Sequence, residues 1–597
     1  MKAGRVGHGQ ARRRVIVRRE SDPAAWRRLA AARGLHPVLA RVYTQRRVQG
    51  PEELEYRLQH LAPAEALSGM EEAVALLARV MQADGHILIV GDFDADGATS
   101  TAVALRALRA MGGRASYLVP DRFRFGYGLT PEIVAVAAAR NPDLIVTVDN
   151  GISSIAGVEA AAARGIPVLV TDHHLPGATL PPAAAIVDPN RPGDAFPSKH
   201  LAGVGVIFYV MTALRAHLRR LGWFETRGLP VPNLACLLDL VALGTVADVV
   251  PLDYNNRILV AQGLARIRQG QACAGVRALV QVSGRAAERL TTSDLGYALG
   301  PRLNAAGRLE DMSLGIECLL CEDEQRALAL ARRLDALNLE RRRIESEMKV
   351  EALAELDELF HMQALEEDVP PEDVPPGLCL YRPHWHPGVI GILASRVKDR
   401  LHRPVIVFAP GQEGELKGSA RSIPGLHIRD VLDEVAARHP GLIGRFGGHA
   451  MAAGLSLRRE HYANFSAAFA AVVAEHLEPE HLEDRLWSDG ALAPDELNLE
   501  TARALREGGP WGQGFPEPLF DGVFQVRERR QVGERHLRLT LAHPDGGAPL
   551  AAIAFNRSED DCPAQAAHIA YRLEVDEFGG ASRPQLVVEH ISAEMGS

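Results

Sequence analysis

Long apolar runs are missing from this sequence. Although 47% of its residues are hydrophobic, no stretch approaches the roughly 18 consecutive apolar residues that a membrane helix needs, which excludes a helical membrane protein. Cysteine is scarce: six in 597 residues cannot build a disulfide framework. The nearest pair, Cys318 and Cys321, brackets two leucines with no second ligand pair, which argues against zinc. Lysine supplies only five of the 66 basic residues. The arginine excess suits bidentate phosphate contacts, but codon usage gives the same skew. A positive surplus is also missing. The net charge of −9 argues against a protein that coats DNA indiscriminately, so any nucleic acid is expected in a local basic groove. The amino terminus, Met1 to Glu20, carries Arg5, Arg12, Arg13, Arg14, Arg18 and Arg19 without the apolar stretch of a secretory signal. It is expected to be a frayed basic arm on a cytoplasmic protein, solvated, with contact to nucleic acid as the alternative.

What is present is a repeated grammar. At 597 residues the chain is too long for one core, and about three or four domains are expected. Between Gly85 and Asp188 the apolar runs Ile87–Val90, Leu144–Val148, Val168–Val170 and Ala185–Val187 alternate with Ala-rich helical stretches. Strands buried on both faces and joined by helices predict an α/β fold with a doubly wound parallel sheet. Sites in such sheets form at the carboxyl edges of the strands. The clusters Asp92–Asp96, Asp149–Asn150 and Asp172–His174 each follow a run. From about Asp323 to Phe360, Leu330, Leu334, Leu337, Ile344 and Met348 recur near helical spacing, predicting a long linking helix. The direct repeat of Glu367-Asp-Val-Pro-Pro as Glu372-Asp-Val-Pro-Pro cannot be helical and predicts an exposed spacer. A second α/β region follows, with a strand at Val405–Phe408 and the Gly-rich stretch Gly444–Gly454. The short alternating strands His536–Leu541, Pro549–Phe555 and Gln585–His590 predict a terminal β-barrel. The expected domains are residues 1–49 (basic arm and leading helix), 50–322 (catalytic), 323–378 (connecting helix and Pro-rich loop), 379–485 (second α/β domain) and 486–597 (barrel).

Asp92, Asp94 and Asp96 stand in Gly91-Asp-Phe-Asp-Ala-Asp-Gly97, alternate carboxylates after a strand. Such concentrated anionic charge needs a cation, and hard carboxylate oxygens suit manganese or magnesium. A calcium loop also begins D-x-D-x-D-G, but Ala98 to Leu105 supply no bidentate Glu; a solvated acidic turn stays open. Asp149, in Leu144-Ile-Val-Thr-Val-Asp-Asn-Gly151, would alone be a cap or turn residue. In Asp172-His173-His174 one histidine can bind metal while the other faces substrate. Chance adjacency among 22 histidines is the alternative. Asp248 ends an apolar helix, where an unpaired carboxylate is costly to bury. Each piece is weak alone; the ordered set is not.

That set resembles the DHH phosphoesterase superfamily, and the surrounding sequence is similar to its RecJ branch. The resemblance continues through Asp121-Arg-Phe-Arg-Phe-Gly-Tyr-Gly128, Gly300-Pro-Arg-Leu-Asn-Ala-Ala-Gly-Arg-Leu309, Trp385-His-Pro-Gly-Val-Ile-Gly391, Ser419-Ala-Arg-Ser422 and Gly447-Gly-His-Ala-Met-Ala-Ala-Gly454, and covers about residues 50 to 590. It implies a DHH catalytic domain, a DHHA1 domain and an oligonucleotide-binding (OB) barrel. It further implies that Asp92, Asp94, Asp96, Asp149, His173 and Asp248 bind two divalent cations, Mn2+ or Mg2+, with Asp149 bridging. By the same resemblance His174 meets the scissile phosphate, with Asp172 behind it.

Arg302, Arg308, Ser419 and Arg421 are candidates for phosphate anchoring, with a surface ion pair as the alternative for each arginine. Gly447, Gly448 and His449 are expected to form an anion-binding nest, and a tight turn with a core-facing His449 is equally open. Arg122, Arg124 and Tyr127 suit an entering strand, since aromatic faces stack on any base; a buried Tyr is the alternative. The barrel segment resembles the RecJ OB domain in Trp511-Gly-Gln-Gly-Phe-Pro-Glu-Pro518 and Val532-Gly-Glu-Arg-His-Leu-Arg538, with Phe515 where the family pattern has Asn. The implied activity is a 5′→3′ exonuclease specific for single-stranded DNA, releasing 5′-mononucleotides in recombination and repair. A monomer is expected, with single-strand-binding protein and a RecQ-type helicase as partners. Three other readings compete. A phosphodiesterase of short oligonucleotides or cyclic dinucleotides would not need the barrel. A catalytically inactive DNA-binding scaffold would not need an intact ligand set, and an inorganic pyrophosphatase would need neither barrel nor stacking aromatics.

Overall fold

Residues 14–120, 128–361, 375–411, 414–448, 450–478, 481, 484–533, 536–577 and 581–593 are described by a computed structural model. They fall into two compact units, one of Arg18–Asn338 with Ser488–Ser597 and one of the chain up to Val17 with Leu339–Trp487. The first described element is the strand β1 (Arg14–Arg18).

In the larger unit, β2 (His86–Gly91), β3 (Arg114–Leu118), β4 (Leu144–Val148), β5 (Val168–Thr171) and β6 (Ala185–Val187) form a parallel sheet in the order β3-β2-β4-β5-β6. Side chains alternate across a strand, and here both sets are apolar. Ile87 and Ile89 enter one core with Ala98, Ala102 and Leu105; Leu88 and Val90 enter another with Ile133, Val134 and Val158. Helices α1 (Ala95–Ala110), α2 (Gly203–Arg220) and α3 (Leu238–Ala247) supply the first core, and Pro131–Ala138 and Ile155–Ala162 the second. The sheet is therefore doubly wound, as the apolar runs predict. Its order reverses between β2 and β4, so the chains leaving these strands diverge and open a crevice at their carboxyl ends.

Helix α4 (Gly300–Leu309) and the 38-residue helix α5 (Glu324–His361) follow. The expected linking helix is also core material at both ends. Ala331 and Leu334 pack into the larger unit, while Met348 and Ala352 pack with Leu378 and Trp385 of the smaller one. That unit contains β7 (Leu378–Tyr381), α6 (Ile390–Leu401), β8 (Val405–Pro410), β9 (Glu415–Arg421), β10 (Arg445–Gly448) and β11 (Ala452–Arg458). Its sheet runs β10-β11-β9-β8-β7, parallel only between β7 and β8. The expected nest at Gly447 and Gly448 is corrected here. Both are strand residues, opposite Gly454 and Ala453 in an antiparallel pair, an arrangement that runs along the strand and does not curl into a nest. Gly448 has φ +150°, and a Cβ there would meet the Ala452 carbonyl oxygen at 2.4 Å. His449 lies outside the described residues.

The strand β12 (Asp484–Ser488) pairs with β1, which corrects the reading of a frayed arm for its described part, Arg14 onward. Beyond it, β13 (Phe520–Val532), β14 (His536–Ala542), β15 (Leu550–Phe555), β16 (Ala566–Asp576) and β17 (Arg583–Ala593) close a barrel in the order β13-β14-β15-β17-β16. The barrel is fused to the sheet domain within one unit. Phe515 stacks on Trp511 at 5.2 Å between ring centroids and on Tyr43 at 6.2 Å, with the Arg257 guanidinium 4.3 Å from its ring. An aromatic where the family pattern has Asn is thus part of the seam. Charge completes it: Asp489 is buried, receives two bonds from Arg46 at 2.5 and 2.8 Å, and accepts from Arg19 at 3.0 Å and from the Leu519 N–H at 3.0 Å. Arg18 pairs likewise with buried Asp521 at 2.8 Å. Two arginines of the expected free arm are therefore bound to protein. Removing one partner of a buried pair strands the other charge, at about 3–5 kcal/mol. Asp489→Ala is expected to lower the unfolding free energy by that order in urea titration; a loss below about 1 kcal/mol would refute the staple.

Candidate metal centre

β2, β4, β5 and β6 are each followed by an aspartate, Asp92, Asp149, Asp172 and Asp188, and parallel strands bring such residues to one edge. After Asp92 the chain turns sharply into α1. Asp94 caps that helix, its Oδ1 accepting from the Gly97 N–H at 2.9 Å. Gly97 is required because a Cβ there would lie 2.6 Å from the Asp92 carbonyl oxygen. Asp96, in the first turn of α1, is buried and accepts from the N–H groups of Gly203 at 2.6 Å and Val204 at 2.9 Å, at the amino end of α2. Asp149 holds a left-handed φ of 62°, which aspartate tolerates. A Cβ on Gly203 would stand 2.7 Å from the Asp149 Cβ. Asp248 closes the carboxyl end of α3.

His173 is the point of convergence. Its buried Nε2 has no hydrogen-bond partner, yet lies 3.1 Å from Asp149 Oδ1, 3.5 Å from Asp248 Oδ2 and 4.0 Å from Asp96 Oδ2. Asp96, His173 and Asp248 form one group and Asp92, Asp94 and Asp149 another, each with its ligand atoms within 4.8 Å of one another. Asp149 adjoins both. Burial first, then the neighbouring carboxylates, pushes Asp149 well above the ordinary carboxylate range, and Asp96 and Asp248 rise for the same reasons. Burial, with the charge of His174, lowers His173 and favours the neutral imidazole that ligates metals. Buried hard oxygens around an imidazole nitrogen that lacks a hydrogen bond fit Mn2+ or Mg2+.

Asp172 stands apart from these ligands. Its carboxylate accepts the N–H groups of Ile152 at 2.9 Å, His173 at 2.7 Å and His174 at 3.2 Å, and pairs with His174 Nδ1 at 2.7 Å. Burial opposes its charge, but the His174 charge and these bonds outweigh it and hold Asp172 at about 2. Burial opposes the imidazolium too, and Asp172 overrides it, carrying His174 up to about 10. The two adjacent histidines thus differ, His173 pushed down and His174 pushed up.

Of the candidate anchors, Arg302 is corrected. Its side chain is buried and engaged by Asp335 at 2.8 Å and by the Ala298 carbonyl at 2.6 Å, so it ties α4 to α5. Arg308 lies on α4, which abuts the metal loop: Asn304 Oδ1 accepts from the Ala95 N–H at 2.7 Å, and a Cβ on Gly307 would be 1.8 Å from the Phe93 carbonyl oxygen. Ser419 and Arg421 meet in the smaller unit. Arg421 donates to the hydroxyls of Ser395 at 3.2 Å and Ser419 at 3.1 Å, and burial lowers its pKa. Arg122, Arg124 and Tyr127 lie outside the described residues. Sequence reasoning missed Asn304, Ser395, Asp188 and Asn190. Asp188 follows β6 by the same strand-then-acid grammar and was findable; burial, with the charge of Asp172, raises it to about 8. Asn190, whose amide donates to the His173 carbonyl at 2.6 Å, gives no signal of its own.

Family models match residues 86–245 (DHH family, N-terminal domain), 375–475 (DHHA1 domain) and 488–590 (RecJ OB domain). The chain is 57% identical to the single-stranded-DNA-specific exonuclease RecJ of Dickeya dadantii over 93% of its own length and 96% of the relative's. It is 53% identical to that of Escherichia coli over the same shares. The crystal structure of Thermus thermophilus RecJ in complex with Mn2+ superposes with a TM-score of 0.81 at 31% identity, covering 97% of this chain and 80% of that one. Its Mg2+ complex gives 0.75 at 29% identity, covering 97% and 79%.

Crowded buried carboxylates repel one another when no cation is present. Asp149→Asn is therefore expected to raise the thermal midpoint of metal-free protein by about 2–4 °C per kcal/mol of relieved repulsion, and to shrink the further rise on adding MnCl2. A lower metal-free midpoint with an unchanged manganese response would contradict the assignment.

Proposed function

The chain belongs to the RecJ family of single-stranded-DNA-specific exonucleases, DHH phosphoesterases, and on that premise we propose that it digests single strands from the 5′ end to 5′-mononucleotides in recombination and repair, using two divalent cations. The observation that carries this is a pair of adjoining clusters, Asp96, Asp149 and Asp248 around the Nε2 of His173 and Asp92 and Asp94 beside Asp149. Those residues would hold Mn2+ or Mg2+, which supply Lewis acidity for in-line attack on a phosphodiester. The protein's own part is positional. The N–H groups of Gly203 and Val204 fix the Asp96 carboxylate. His174, protonated by virtue of Asp172, offers a proton to a non-bridging phosphate oxygen where charge builds. No serine or cysteine nucleophile is required.

Polarity needs a group that selects one end. Among the described residues no carboxylate pairs with Arg421, whose recorded partners are the hydroxyls of Ser395 and Ser419 and the Ala420 carbonyl at 2.8 Å. A guanidinium kept from acidic partners suits a terminal phosphate, which it can bind through paired, charge-assisted bonds. The barrel supplies grip on the rest of the strand.

With 5′- and 3′-labelled single strands and Mn2+ or Mg2+, the 5′ label is expected to appear first, as mononucleotide; early release of the 3′ label would overturn the polarity. Arg421→Ala is expected to abolish the preference for a 5′-phosphate over a 5′-hydroxyl. The Asp172–His174 pair gives a pH test. His174 keeps its proton below about 10 and loses it as pH rises through that value. In Asp172→Asn the alkaline limb of kcat in Mg2+ should move down toward the ordinary imidazole value near 6.5. An unmoved limb would remove His174 from proton donation.

A further inference from the structure

Two open apolar side chains directly follow residues of the centre. Leu175, after His174, is 50% exposed, and Val249, after Asp248, is 64% exposed. Val249 also has a left-handed φ of 60° just past the end of α3, the position where glycine normally stands because it has no Cβ to clash. For a β-branched residue this conformation is a true outlier. With its side chain turned to solvent, packing returns little of that penalty, and strain kept beside an active centre points to a use for the side chain itself.

A third such residue is Tyr297, 81% exposed on the π-helical turn Leu295–Leu299 that leads into α4. Turns of this kind re-aim side chains and recur at functional sites. The glycines on either side seat it on the last turn of α3: Cβ atoms on Gly296 and Gly300 would lie 3.4 Å from Val246 Cγ1 and 3.1 Å from Ala247 Cβ. Tyr297 and the Asp248-Val249 step therefore belong to two elements in direct contact.

We propose that Leu175, Val249 and Tyr297 form a nucleoside platform beside the metal centre, where sugars and bases next to the scissile phosphate rest and Tyr297 stacks on one base. The proposal rests on the reading that this centre cleaves single-stranded DNA. Every base has a π face and every sugar an apolar edge, so such a platform accepts any sequence, as complete digestion demands. It also adds affinity that does not come from neutralising phosphates, so its share is independent of salt.

The test uses the full chain with Tyr297→Ala, Tyr297→Phe and Val249→Gly, measuring steady-state kinetics on a single strand in Mg2+ at low and moderate salt, together with thermal midpoints. Tyr297→Ala is expected to lose about tenfold in kcat/KM, mainly through KM and by the same factor at both salts, while Tyr297→Phe stays near wild type. Val249→Gly is expected to raise the midpoint, because strain is relieved, and at the same time to raise KM severalfold. A KM within twofold of wild type in both Tyr297→Ala and Val249→Gly overturns the platform. So does a Val249→Gly protein that loses stability and affinity together, since that marks a packing role. If the wild type leaves single strands intact, the parent reading falls and the platform with it; an active wild type with indifferent variants sinks the platform alone.

Discussion

Mutual repulsion among buried carboxylates at one sheet edge is the constraint on which the rest of the larger unit depends. A parallel sheet whose strands are apolar on both faces has nowhere to put polar chemistry except at strand ends. Here four strand ends deliver aspartates to the same edge. The fold answers that charge with fixed dipoles: the first N–H groups of α2 bond Asp96, and three backbone N–H groups bond Asp172. Glycines at 97, 203 and 307 let neighbouring backbone approach the acids more closely than any side chain would permit. The answer is partial, since burial first and the neighbouring carboxylates second keep Asp96, Asp149 and Asp248 raised, and a bound cation is what the remainder calls for.

The same division of labour separates two adjacent histidines. Asp172 pairs directly with the His174 ring, while its hydrogen bond to His173 reaches only the backbone N–H. The two imidazoles are thereby shifted in opposite directions, His173 down and His174 up. Two adjacent residues differ in this way because the carboxylate hydrogen-bonds only one of the two rings.

This much was legible from sequence because strand ends announce themselves: an apolar run followed by an acid needs no alignment to be noticed. The doubly wound sheet, the long helix and the barrel were legible for the same reason of periodicity. What escaped notice lacked a periodic signal. Arg114-Ala-Ser-Tyr-Leu118 is a half-exposed edge strand, and β7, β9, β10 and β11 are short or glycine-bearing strands. Arg302 looked like a phosphate anchor because an arginine in a Gly-rich motif carries no mark of its partner. Asp335, 33 residues on, is visible only in space. The glycines at 447 and 448 suit a nest and a strand equally in one dimension, and the pairing with β11 decides between them.

α4 is a strut as well as a carrier of Arg308. Through Asn304 and Gly307 it bears on the loop that holds Asp92, Asp94 and Asp96, and through Arg302 it is bolted to α5 at Asp335. Packed helices shift between discrete arrangements and do not deform smoothly. A change in the register of α5 near Asp335 would therefore reach the metal loop as a rigid displacement of the Phe93–Ala95 backbone. The backbone that carries the three aspartates is in this sense clamped from behind by a helix remote from them in sequence.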